Sequence, residues 1–495
     1  MKRTLKLYVV VVFVVFFGTP LNSWSKDIIV YTNQDSSKSE FGIKSSDAEA
    51  SYVLTSGVYD TLITWDPSTR EYKPALAEKW EFVAPTEIVF HLKKNIQYHD
   101  GRIFDATHVA TSFNLIKKYT SFSALMLTQI KQISIVNSET IVLRLKQPDP
   151  LILRRLAFWF RIYPPITDPQ KLFSINLPGT GVWKFIKNLD SMFEYAKFPE
   201  SANEQHVSLI FHANSADIDT IQPVGSEKSL IIDGLPWTEQ LRAKKDLGLE
   251  IINVPANYSD FVIFNTLAKQ SITRDIRIRK AVNFAIDKNA LTRLVYGNIV
   301  TPLVSLSLPN EDGHHTSLMP YPYDINEAMN LVADYKREYP DRELSVRVGM
   351  QSFGKTYDDL TQFIIMSLGN IGIKATIVEN YSVAEHFLKY SQAVDIIVGG
   401  DPSPYGHFDF MVQNFFVPGS PFYASYDSQI IFLLEQSKKC QTEPEVNKLY
   451  AQIDRRIHEE YLSVPGVQYN RLVAFDRTIA FDPMYSTLLL MNRLK

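Results

Sequence analysis

Asp401 stands where a carboxylate has the most to do. The segment DIIVGGDPSPYGHFDFMVQNFF (residues 395–416) opens with an apolar strand, Asp395 to Val398, followed by Gly399 and Gly400. Glycines let a backbone approach a ligand closely. A carboxylate just beyond them, in a closed and water-poor cleft, would form a charge-assisted hydrogen bond to an ammonium group. Without such a cation it is costly to bury. Read without a ligand, the same Asp-Pro step is an ordinary loop turn. Tyr405 follows in the same loop. Three more residues are candidates to line a ligand cleft. They are Gln351, after the strand 344–350; Asn265, closing the strand 260–265; and Ser56, inside the apolar stretch 53–65.

Other chemistry is thin. His99 and His108 with Asp100 are residue types that suit zinc. However, Asp100-Gly101 is a turn signal and His108 falls on a helical stretch, so no metal site is expected. There is no G-x-S-x-G elbow, no H-E-x-x-H and no cysteine pair. Nothing marks an enzyme, and no cofactor is expected.

The candidate residues need elements to hold them. Residues 344–399 read as βαβαβ. The strand 344–350 precedes a helix marked by Leu360, Phe363, Ile364 and Leu368. The strand 373–378 precedes a helix opened by the capping box Ser382-Val383-Ala384-Glu385, and the strand 395–398 completes the unit. Such a unit implies a parallel sheet with right-handed crossovers, and ligands bind beyond the carboxyl ends of its strands.

Upstream, Pro74 to Trp80 reads as a short helical turn. Glu87 to Lys93 alternates as a half-buried strand, with Ile88, Phe90 and Leu92 inward. Asp105 can cap a helix that turns Val109, Phe113 and Ile116 to one face. Residues 130–147 read as a hairpin turning at Asn137-Ser138. A strand near 260–265 precedes a helix carrying Ile276, Ile278 and Val282, then a second helix capped by Asp287 and stopped at Gly297. Helices are expected near 428–440 and 443–461, and strands through 467–475. Residues 199–248 give mainly loop signals.

At 495 residues the chain exceeds one hydrophobic core, so two or three domains are expected. Its net charge of −3 shows no basic excess, so no nucleic-acid partner is expected. Residues 1–25 have the features of a cleaved signal peptide: Lys2, Arg3 and Lys6, the apolar run 7–18, and the small residues Ser23 and Ser25. The run is too short for a comfortable membrane span. Cys440 is the single cysteine, so no intramolecular disulfide and no lipid-anchor cysteine near the run is expected.

Two strings carry a family resemblance. In PALAEKWEFVAPTEIVFHLKKNIQYHDGRIFDATHVATSF (residues 74–113) the matching positions include Leu76, Ala77, Glu78, Trp80, Phe90, His99, Asp100, Gly101 and Ala106. In RDIRIRKAVNFAIDKNALTRLVYGN (residues 274–298) they include Asp275, Arg277, Arg279, Ala285, Asp287 and Gly297. The chain resembles the family 5 extracellular solute-binding proteins, the oligopeptide and dipeptide receptors of ABC transporters. PGTGVWKFI (residues 178–186) resembles the family's loop-strand that returns to the first lobe.

The resemblance implies an α/β fold of the two-lobed periplasmic binding protein type, in the class with an extra inserted domain. The implied division is a signal peptide 1–25, lobe I 26–59, an inserted domain II 60–175, lobe I again 176–262, lobe III 263–470, and a return segment of lobe I 471–495. It implies a short peptide held between lobes by hinge closure, and ABC permease subunits as partners. A monomer is expected, in the periplasm, with cleavage near Ser25. Asp401 falls on the family position that pairs with a peptide's α-ammonium, and Asp409 on a later family aspartate. The family's tryptophan before the first of these is a glycine here. Some members of the family bind nickel chelates, and His407 or the pair His314–His315 could serve such a ligand. The alternatives are a same-fold receptor for an oligosaccharide, an opine or a nickel chelate, and a secreted hydrolase.

Overall fold

The structure is a computed structural model. It describes residues 27–32, 55–66, 69–119, 122–166, 176–189, 192–199, 206–211, 228–235, 237–350, 355–378, 394–403, 405–420 and 422–479. The expected capping box at 382–385, Gln351, the leader 1–25 and the segment after 479 lie outside the described residues.

Strand β1 (Asp27–Thr32) opens the chain's main sheet. A small module follows. It pairs β2 (Ile63–Asp66) with β3 (Glu71–Pro74), and builds a four-stranded sheet from β4 (Ala77–Ala84), β5 (Glu87–Leu92), β6 (Ile130–Asn137) and β7 (Thr140–Leu145), in the order β4-β5-β7-β6. Its helices are α1 (Ala106–Tyr119), α2 (Phe122–Met126) and α3 (Ile152–Trp159). Ile88, Phe90 and Leu92 face inward as the alternation requires. Asp105 caps α1, accepting from the Thr107 N–H at 2.8 Å, and Val109, Phe113 and Ile116 are buried.

The stretch Pro74 to Trp80 is not a helical turn. Trp80 lies in β4 opposite Phe90, and Lys79 lies opposite His91. The local Ala-Leu-Ala-Glu-Lys preference for helix is overridden by the ladder that β5 offers.

The main sheet has eleven strands. On one side β1 is flanked in parallel by β10 (His206–Phe211) and β11 (Lys228–Asp233), with β9 (Met192–Lys197) and β8 (Trp183–Leu189) beyond β10. The poorly legible 199–248 region therefore supplies both neighbours of β1, and also helix α4 (Gln240–Asp246). Next in the chain is the long β12 (Glu250–Phe264), then helices α5 (Ile276–Ala285) and α6 (Lys288–Leu294), β13 (Val300–Pro302) and α7 (Ile325–Glu338). On the other side β14 (Ser345–Met350) lies between β15 (Lys374–Val378) and β16 (Ile396–Pro402), all parallel, with α8 (Lys355–Asn370) following β14. Helices α9 (Asp409–Phe415), α10 (Ser428–Ser437) and α11 (Glu443–Glu459) come next, and β17 (Ser463–Phe475) runs beside β12. Asp275 and Asp287 cap α5 and α6.

The result is a two-lobed α/β fold. One apolar core joins β1 and its neighbours to the small module, and a second is built from α5, α7, α8 and the β14–β16 unit. Among the described strands only β12 and β17 run through both lobes. At their crossing Gly466 is required, because a Cβ there would stand 1.9 Å from the Asp260 carbonyl oxygen.

Candidate ligand cleft

Strand direction places the cleft. β16 ends at Pro402, level with Tyr258 on β12. β11 ends at Asp233, level with Val473 on β17, which faces Ile252 on β12. β11 runs with β12, and β16 runs against it. The carboxyl ends of the two sets of parallel strands therefore point at each other across a gap. Residues 253–257 of β12 and 468–472 of β17 bridge that gap. Crevices beyond strand carboxyl ends are where open α/β sheets take ligands.

The floor of this gap is polar and cross-linked. β12 bulges, setting Ala256, Asn257 and Tyr258 against Tyr469. Asn310 donates to the Asn257 side-chain oxygen at 2.6 Å. Gln468 donates to the Ala256 carbonyl and to Asn310, both at 2.9 Å. The Ser403 N–H, just past β16, donates to the Asn257 carbonyl at 2.7 Å. Beside Ser403, Glu311 accepts from the Leu308 N–H at 2.7 Å through one carboxyl oxygen. The other oxygen and the Ser403 hydroxyl are buried side by side, and their interaction lowers the carboxyl's value against the larger effect of burial. Burial pushes the Glu311 carboxyl up to about 7. At the first lobe's edge Arg471 is ion-paired with buried Asp233.

At the mouth, helix α3 reaches from the small module to the second lobe. Arg154 is 1% exposed. It donates to the Tyr405 carbonyl at 3.0 Å, to Asp312 at 2.9 Å and to Glu443 at 3.0 Å, and its guanidinium lies 3.5 Å over the Trp65 ring. Arg155 donates to Asp409 at 2.7 Å and to Asp149 of its own module at 2.5 Å. Arg70 pairs with Asp312, and the Tyr72 hydroxyl donates to Glu443.

Burial alone would push the Asp409 carboxyl up. The Arg155 guanidinium and the Tyr450 hydroxyl outweigh it and hold the group down at about 2. Burial holds the His407 imidazole below its ordinary range. Its Nδ1 accepts from the Asp409 N–H at 2.9 Å and its Nε2 lies 2.9 Å from the Asn447 side-chain oxygen, so the neutral Nε2–H tautomer fits.

The expected site residues scatter. Asp401 lies at the carboxyl end of β16 opposite Ser259, at the cleft. Tyr405 is in the neighbouring loop, but its hydroxyl donates to Asp409 at 3.0 Å inside the arginine cluster. Asn265 lies at the far, amino end of β16, because β12 runs antiparallel to that strand. It donates to the Val394 carbonyl at 2.7 Å and accepts from the Leu267 N–H at 3.0 Å. Ser56 is buried beside Gly57 and Val58, whose carbonyls accept from the 181–183 loop at 2.9 Å.

His99 is part of the scaffold. Its Nε2 donates to the Gly181 carbonyl at 2.8 Å and its Nδ1 accepts from the Gly179 N–H at 3.2 Å. The Nδ1 of His314 faces the Ser307 hydroxyl at 2.7 Å. Among the described residues no group of three or more His, Cys, Asp or Glu side chains is placed to hold a metal.

Two features escaped the sequence reading. One is the arginine pair, whose signal was Arg154-Arg155 in the middle of the apolar run LILRRLAFWF (residues 151–160). The other is GMQSFGKT (residues 349–356), which has G-x-x-x-x-G-K-T spacing between strand β14 and helix α8. That spacing and setting suit phosphate groups; residues 351–354 lie outside the described residues.

The fold and the cleft define a class, the two-lobed solute-binding architecture. The chain matches the family described as bacterial extracellular solute-binding proteins, family 5, over residues 71–421, and it belongs to that family. Among curated proteins it is 22% identical over 357 residues to the dipeptide-binding protein of Escherichia coli strain K12, an alignment covering 65% of this chain and 66% of that protein. The chain thus spans just under two thirds of that relative.

Among solved structures it is similar to the periplasmic binding protein DppA of Helicobacter pylori in complex with the peptide STSA. The TM-score is 0.76 at 21% identity, over 94% of this chain and 96% of that one. It is also similar to NikA of Brucella suis in complex with Fe(III)-EDTA, with a TM-score of 0.73 at 18% identity, over 90% of this chain and 95% of that one. Proteins of this family are periplasmic or extracellular transport receptors. No helix among the described residues is long and apolar enough to cross a membrane.

Proposed function

We propose that this protein is the exported, periplasmic substrate-binding receptor of an ABC importer, that it binds short peptides between its lobes, and that it delivers them to the permease. The observation that carries the reading is the cleft itself. Two sets of strand carboxyl ends face each other across a gap bridged by β12 and β17, with Asp401 at the end of β16. Lobes joined in this way can close around a ligand as a hinge. Family membership and the peptide named with the H. pylori structure support a peptide ligand. We place the lobe boundaries as the family resemblance implies, assign residues 1–25 as a signal peptide cleaved near Ser25, and take the working form as a monomer without cofactor or catalytic residue.

Asp401 would hold the peptide's α-ammonium, and Gln351, Tyr405, Asn265 and Ser56 are the remaining proposed ligand residues. Adding a panel of short peptides to the purified protein should change its tryptophan fluorescence. Asp401→Asn should weaken binding of free peptides by at least about tenfold and leave N-acetylated peptides nearly unaffected. Equal loss for both would reject the role.

A second reading, a non-peptide ligand, has two supports. One is the likeness to NikA; the other is the G-x-x-x-x-G-K-T spacing at 349–356, which would favour a phosphate-bearing ligand. Mass spectrometry of whatever co-purifies, with ATP, pyrophosphate and metal chelates in the binding panel, separates these outcomes.

A further inference from the structure

We propose that Arg154 and Arg155 form a closure latch: two guanidiniums on the small module that dock into a carboxylate receptor on the second lobe and set how much of the protein is closed, whatever the ligand.

Among the described residues the second lobe joins the rest of the chain covalently only through β12 and β17, at the floor of the cleft. At the mouth, it meets the small module through α3 and through the β2–β3 hairpin, whose Arg70 and Tyr72 bond Asp312 and Glu443. The latch acceptors all belong to the second lobe: Asp312, Glu443, the Tyr405 carbonyl and Asp409. They come from three separate stretches of that lobe, so the receptor exists only because the lobe is folded.

Each arginine is also held from its own side. Trp65 lies under Arg154, and Asp149 grips Arg155. The guanidiniums therefore keep their orientation when the lobes part, and water replaces the lost carboxylates. An open protein would leave no unpaired buried charge. The closed protein would leave one only if a partner were removed.

The chemistry of the latch matters as much as its position. Drawing buried guanidiniums and carboxylates out of water costs nearly what their attraction returns. The contact has an apolar part, with Trp159 stacked on Phe410 and Phe158 beside Tyr405; a seam made of such residues alone would hold the lobes shut. A latch of paired charges demands exact partners yet adds little net bias, so a ligand's own contacts can tip the balance. If the closed fraction falls, apparent affinity falls by the same factor for every ligand. Residues lining the cleft would instead change the ranking among ligands.

This inference rests on reading the chain as a hinge-closing receptor. The test uses the mature full-length protein without ligand. Small-angle scattering gives its radius of gyration, and hydrogen exchange reports on residues 151–159 and 405–415. In Asp312→Asn/Asp409→Asn both guanidiniums lose carboxylates only when closed. The expected result is a larger radius and at least about tenfold faster exchange in those two segments, with β5, β7, β14 and β16 as protected as in the wild type.

Removing the charges from both sides with Asp149→Asn/Arg155→Met/Asp409→Leu should return exchange in 405–415 towards the wild-type rate. Unchanged radius and exchange in the first variant would overturn the latch. So would equal loss of protection in the sheets, because the cluster would then be part of the folding core. These readouts need no ligand. A wild type that binds none of the peptide panel would count against the peptide reading and leave the latch to be judged on its own data.

Discussion

Glu311 carries a pH signature that belongs to a single side chain. Its ordinary value is 4.5, and burial raises it to about 7 in the folded protein. A carboxyl raised on folding is most favourable to the fold below its ordinary range, and that contribution is lost as the pH rises through about 7. Glu311→Gln stays neutral throughout. It should leave stability at pH 5 nearly unchanged and add on the order of 2–3 kcal/mol at pH 8, read by thermal or urea unfolding. A variant equally stable relative to wild type at both pH values would refute the neutral buried acid.

His99 has the opposite sign. Burial lowers its imidazole below 6.5, so its contribution is present above that value and fades as the pH falls. His99→Phe would leave the Gly181 carbonyl and the Gly179 N–H without partners. A loss of about 1–3 kcal/mol is expected, measured at pH 8 where the histidine is neutral in both states. At this scale the helix caps were legible, because Asp105, Asp275 and Asp287 bond within three residues of themselves. The partners of Arg154 were not legible, because they lie 158 and 289 positions away.

At the scale of elements, the tightest constraint is the crossing of β12 and β17. Gly466 sits where β17 bulges against Asp260, and a methyl group there meets main chain that has nowhere to move. Gly466→Ala should cost at least about 2 kcal/mol. Gly369→Ala, in α8 with open space around it, should cost nothing or add about 0.5 kcal/mol. Denaturant midpoints of the two variants make the comparison, and similar values would contradict the packing described.

Periodicity revealed the βαβ strands and the helices, since each carries its own pattern. It failed at β4, where pairing with β5 decides the conformation, and at β10 and β11, whose short apolar runs sit among loop signals. Asn265 shows a related limit. A strand end can be read from sequence, but which way its neighbour runs cannot.

For the whole molecule, the family resemblance supplied two lobes. It left open where the cleft floor lies. Strand register answers that, because levels 252 and 258 of β12 mark the ends of β11 and β16. Scattering with and without a bound peptide should show a smaller radius in the bound state. The change should disappear when the β12–β17 bridge is stiffened by a cross-link to β16, and persist after a cross-link within the small module.

β17 also has a consequence in time. Residues 463–475 fill the middle of the main sheet, between β12 and β11. A chain emerging from its amino end would therefore display both flanking strands long before the strand that separates them is made. Through that interval the facing edges of β11 and β12 are sticky, open to each other and to other chains. The growing polypeptide would need a holding partner through that interval, and a version stopped at Leu462 should collect as aggregate rather than as a smaller receptor.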